Sequence, residues 1–266
     1  MKKLFAIVKC ILYAAALVAS QYLVAILMII YKVLLNGLSV DEAINVVFGG
    51  EAVTVTYVSA LLLIGLVWLI AKICRRKLAD FVDWGRSVKG SMTYACVLVG
   101  IGGNFWTTVV MNSIFSQEAV DEYNAASSNM SVSSSLMALI GVAVLVPIME
   151  EIIFRGIILN RLSAIMPVEL AIILQAVAFG MMHGDIIWIS YAAFMGLILG
   201  YIKVCTNSLK TSVVTHMAYN IASPIASIIG YSFMGIANAS LILLLTGTFL
   251  MISGLISIYK YQPPQA

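Results

Sequence analysis

Histidine occurs only twice in this 266-residue chain, at His183 and His216, and both lie in stretches that otherwise read as membrane helix. His216 is followed four residues later by Asn220, and His183 directly by Gly184, which breaks the apolar run. Upstream, Glu150 and Glu151 are the only acidic residues well inside an apolar stretch, with Arg155 one helical turn further on. Each ionisable group costs roughly 2.5–3.5 kcal/mol or more to hold at bilayer depth. Groups kept there against that cost default to a functional site, and these side-chain types suggest hydrolysis.

Glu151 and Arg155 are spaced i and i+4, so they share a helix face and can pair. Pairing keeps both charged at lower cost than either alone. Glu150 points off that face and has no partner on its own helix, which suits a general base. The plainer alternative is a structural ion-pair cluster holding helices together. Phe179 precedes His183 by one turn on the same side and can pack beneath the imidazole. His216 and Asn220 likewise share a face. Alone, the first histidine could be an interfacial polar residue, and the second motif an interhelical hydrogen bond. All three motifs in one chain favour a site.

The elements that must position these residues are membrane helices. Hydrophobic residues make up 62% of the chain and charged ones only 10%, far from the soluble balance of about half and a quarter. Several apolar runs exceed the roughly 18 residues that a bilayer crossing needs. The expected fold class is all-α, a polytopic membrane helix bundle forming one membrane domain over residues 1–266. Eight candidate helices are read at about 4–31, 53–73, 92–115, 135–160, 168–183, 186–204, 209–229 and 235–258. Arg75, Arg76, Lys77, Arg86 and Lys89 fill one gap, and Glu118, Asp121 and Glu122 lie in the next. That alternation fits eight spans with both termini cytoplasmic. The small net charge of +3, without a basic face interleaved with aromatics, argues against a nucleic-acid partner.

Met1-Lys2-Lys3 and the following apolar run resemble a secretory signal, but apolar sequence continues through Tyr22–Ile30, which favours an uncleaved first helix. Cys10, Cys74, Cys96 and Cys205 show neither metal-ligand spacing nor a CxxC, so no disulfide framework is expected. Ser127–Ser135 reads as a flexible external loop, and residues 262–266 as a short frayed tail.

The motif set Glu150-Glu151-x-x-x-Arg155, Phe179-x-x-x-His183 and His216-x-x-x-Asn220 resembles the CAAX-protease and bacteriocin-processing (CPBP, Abi) family of membrane peptidases. The resemblance covers about residues 135–228 and implies a catalytic core there. It implies an intramembrane endopeptidase acting on a membrane-associated peptide or protein: a CAAX-type tail, or a bacteriocin or pheromone precursor. Glu150 would activate water with help from His183, and His216 and Asn220 would meet the carbonyl oxygen. Glu151, Arg155 and Phe179 would support them.

Two versions of the site stay open. In one, Glu150, His183 and His216 bind a zinc-like ion (Zn2+) that acidifies the water. In the other no metal is present, and a base with two oxyanion donors accounts for all four residues; this version is slightly favoured. Simple spans put Glu150 and His216 in the inner half of the membrane and His183 near the outer end of its helix. Convergence on a cytoplasmic cavity therefore needs the fifth helix to begin deep or to be short, ending at Gly184. The alternatives are a non-catalytic scaffold or bacteriocin self-immunity factor on the same fold, and a proton-coupled transporter. Intact motifs argue against the first; the second lacks paired broken helices or evident repeats. Compact loops and the lysine-led N-terminus suggest an integral protein of a bacterial plasma membrane.

Overall fold

The computed structural model describes residues 2–85, 88–131, 140–232 and 238–261, which include no strand. The expected tail at 262–266 lies outside them. Eleven helices follow in order: α1 (Lys2–Asn36), α2 (Val40–Phe48), α3 (Ala52–Ile73), α4 (Leu78–Phe81), α5 (Gly90–Ile114), α6 (Gln117–Ser131), α7 (141–163), α8 (Val168–Met181), α9 (Ile186–Thr206), α10 (Leu209–Ser232) and α11 (Ala239–Tyr259). Of these, α1, α3, α5, α9 and α11 are long and apolar enough to cross a membrane. The chain is a polytopic membrane helix bundle.

Each of the eight expected helices has a counterpart here, and the three extra ones fall in the gaps. Helix α2 opens on a capping box: the Glu42 N–H donates to Ser39 Oγ at 3.3 Å and the Ser39 N–H to Glu42 Oε2 at 2.9 Å. The box leaves Glu42 more acidic than usual, because Ser39 donates to its carboxylate from hydroxyl and backbone alike. Helix α6 starts where Ser116 Oγ accepts from the Ala119 N–H. It replaces the first part of the loop expected at Ser127–Ser135; residues 132–139 lie outside the described ones.

Two departures from regular helix position the site. Helix α7 is not uniformly α-helical: Gly141–Leu145 and Ile152–Leu159 are π-helical, around and after α-helical Val146–Glu151. All eight residues of the second π stretch are buried, so α7 is packed around most of its circumference. Helix α8 has only 14 residues, about 21 Å at 1.5 Å per residue, against a hydrocarbon core of about 30 Å. It stops at Met181, short of the expected residue 183, and Gly184 turns the chain at φ +78° into α9. Asp185 then caps α9, accepting from the Ile187 N–H at 2.8 Å.

Lipid tails are as apolar as leucine, so tight backbone approach must hold such a bundle together. Helix α5 lies between α10 and α11. A Cβ on Gly100 would fall 2.4 Å from the Thr215 carbonyl oxygen, and one on Gly102 would fall 2.5 Å from the Met251 nitrogen. Against this frame α7 packs with α1, α3, α8 and α10.

Candidate active site

The centre of the site is an ion-pair chain between α7 and α10. Arg155 Nη1 donates to Glu151 Oε1 at 2.8 Å, and neither side chain has any exposed surface. The same carboxylate oxygen accepts from His216 Nδ1 at 2.9 Å. His216 Nε2 is thereby aimed at Glu150, whose Oε2 lies 3.6 Å away. That is too long for a direct hydrogen bond. Adjacent in sequence, the two carboxylates differ in surroundings: the Glu151 side chain is 0% exposed and that of Glu150 15%.

Phe179 organises the aromatic side. Its ring meets Phe154 edge-on at 5.0 Å, His183 at 4.9 Å and His216 at 5.8 Å, while the Arg155 guanidinium sits over it at 4.3 Å. The short α8 and this shared ring bring His183, from the turn beyond the helix end, to the same aromatic group as His216. His183 Nδ1 donates to the Phe179 carbonyl at 2.9 Å, which leaves Nε2 with its lone pair available. Asn220, one turn above His216, donates from Nδ2 to the Val142 carbonyl at 3.1 Å. The carboxamide therefore stands beside the start of α7, and its second N–H can donate elsewhere.

The motifs did not indicate Gln175 or the Gly196 carbonyl. Gln175 is fully buried, and its Nε2 donates to that carbonyl at 2.8 Å; Arg155 Nη2 reaches the same oxygen at 3.4 Å. Gln175 lies four residues before Phe179, on the same face of α8, and that spacing was the signal that could have found it. Tyr191 on α9 stands between Tyr123 of α6 and Tyr219 of α10, with ring centroids 6.3 and 6.2 Å away. No spacing signal announces that arrangement.

Each imidazole has Nδ1 held by an oxygen, as metal-ligating histidines often do. Among the described residues no three His, Cys, Asp or Glu side chains are grouped closely enough to hold an ion, Glu150, His183 and His216 included.

No curated protein and no solved structure matches the chain. Residues 132–222, which contain every motif residue named above, match the family model described as type II CAAX prenyl endopeptidase Rce1-like.

Proposed function

We propose that the chain is an intramembrane endopeptidase in which Glu150 activates the attacking water. The observation that carries this reading is the contrast between the two carboxylates: Glu151 is consumed by Arg155 and His216, while Glu150 is reachable and faces His216 Nε2. Glu150 takes a proton from water as its oxygen attacks the peptide carbonyl, and His183 Nε2 orients that water. His216 and Asn220 then face the oxyanion, Asn220 donating through its amide. The proton on Glu150 passes to the leaving amine.

The family match supports a membrane-associated peptide as substrate; the specific candidates we propose are a CAAX-type tail and a bacteriocin or pheromone precursor. The test compares peptides by mass spectrometry in cells lacking the protein, complemented with wild type or Glu150→Ala at matched levels. Peptide ends made only by wild type are expected, with a loss of about 10²–10⁴-fold in the variant. Equal peptides with equal restoration of phenotype would replace the enzyme by the scaffold or immunity reading. Chelator treatment of the purified protein should leave processing unchanged; loss of processing that zinc restores would reinstate the metal version.

A further inference from the structure

Helices α8 and α9 touch backbone to backbone. A Cβ on Gly180 would fall 2.7 Å from the Ile189 carbonyl oxygen, and one on Gly196 would fall 2.9 Å from Ala176 Cα. Into this seam the chain places an amide, Gln175, with no exposed surface. Burying an amide is costly unless it is hydrogen-bonded, and a leucine or methionine would fill the seam without that cost. Only the donor half of the amide is used. Its Nε2 donates to the Ile172 carbonyl of its own helix at 3.0 Å and to the Gly196 carbonyl of α9 at 2.8 Å. Its Oε1 has no hydrogen-bond partner among the described residues. Gly200, one turn beyond Gly196, makes the room: a Cβ there would fall 2.8 Å from Gln175 Nε2.

The Gly196 carbonyl is where this bond meets the site. Arg155 Nη2 reaches the same oxygen at 3.4 Å, longer than the usual range for such a bond. It can hold the guanidinium in place only while the carbonyl is itself held. The guanidinium is set from three sides: by Glu151 on its own helix, by the ring of Phe179 and by that oxygen. Gln175 and Phe179 are i and i+4 on α8. One face of α8 therefore bears on two of the three, on the ring directly and on the oxygen through the amide. What the guanidinium fixes is Glu151, whose Oε1 accepts from His216 Nδ1 at 2.9 Å and so aims His216 Nε2 at Glu150.

We propose that Gln175 is a positioning residue of the site: it pins the Gly196 carbonyl that Arg155 shares, and through Arg155 and Glu151 it sets the direction of His216 toward Glu150. It is sealed in the α8–α9 seam and acts through Arg155, so it bears on the rate of reaction and not on substrate affinity. The catalytic half of this inference rests on the peptidase reading; the positioning half does not.

The experiment compares wild type with Gln175→Met, which keeps the length of the side chain but has no N–H. The chain has only two histidines, so isotope labelling of the histidine ring nitrogens gives two imidazoles to follow by magnetic resonance in detergent, assigned through His183→Gln. In Gln175→Met the His216 Nδ1 signal is expected to shift, while that of His183, bonded to the Phe179 carbonyl, stays in place. On the peptide whose ends separate wild type from Glu150→Ala, kcat is expected to fall about 10²-fold with KM unchanged. In an Arg155→Lys background the same substitution should lower kcat far less, since an ammonium held by Glu151 cannot also reach the carbonyl. A His216 signal that does not move overturns the inference, and so does an equal kcat loss in both backgrounds. If Gln175→Met does not accumulate, Gly200→Ala presses the amide off the carbonyl from the other helix and must give the same shift. Should wild type and Glu150→Ala make the same peptides, the peptidase reading falls and takes the catalytic half with it, while the histidine signal decides the positioning half.

Discussion

Glu150 and Glu151 are neighbours in the chain, yet one is exposed enough to meet water and the other is sealed in an ion pair. Removing one partner of a buried pair strands a charge and costs about 3–5 kcal/mol. Arg155→Leu should therefore lower the thermal unfolding midpoint in detergent sharply, with the buried Glu151 carboxylate left without its guanidinium. Glu151→Leu combined with Arg155→Leu should recover most of that stability, because apolar replacement of a whole pair is often neutral. Processing should stay lost in the double variant, since His216 Nδ1 then lacks the carboxylate that aims its Nε2. A double variant no more stable than Arg155→Leu would show that the pair is not the unit. The pairing was legible because i and i+4 fixes it on one helix. The Gln175 bond to the Gly196 carbonyl was not, because its acceptor is backbone on another helix.

Helices were the most readable level, since long apolar runs in lipid leave the backbone few other ways to satisfy its hydrogen bonds. What the runs could not show is how each helix departs from regularity. The π stretch Ile152–Leu159 changes which side chains face inward, and nothing in an apolar sequence marks an extra residue per turn. Helix α2 was readable in principle from Ser39-Val40-Asp41-Glu42, a capping box masked by the polar gap around it. Glycine roles also depend on the partner helix. Gly102 meets the backbone of α11, while Gly65 in α3 has nothing within 4 Å of a Cβ position. Gly102→Leu should cost roughly 1–3 kcal/mol or more by overpacking and lower the unfolding midpoint. Gly65→Ala should be neutral or stabilising by up to about 1 kcal/mol, as a helical glycine gains from a Cβ. Equal effects at the two positions would remove the close α5–α11 approach from the account.

At the scale of the molecule, the segment after α4 is fastened to α9 by an ion pair of unequal exposure. The Lys203 side chain is 7% exposed, whereas that of Asp83 is 45% exposed. Lys203 also donates to Asn160 Oδ1, and Asn160 Nδ2 donates to the Gly156 carbonyl at 2.8 Å, so the clamp holds the π-helical part of α7. Asp83 itself sits at φ +53°, a left-handed conformation that an aspartate tolerates better than most residues. Losing Asp83 leaves a buried ammonium with an amide as its remaining fixed partner; losing Lys203 leaves a carboxylate that water can solvate. Asp83→Ala should therefore destabilise by about 1–3 kcal/mol, and Lys203→Met by well under 1 kcal/mol, because an exposed partner keeps its solvation. In detergent, trypsin should cut after Arg75, Arg76 or Lys77 faster in Asp83→Ala than in Lys203→Met. The reverse order, or no difference from wild type, would mean that the segment 82–85 is held by Val82 and Gly85 packing alone. The fastening of that segment would then owe nothing to the ion pair.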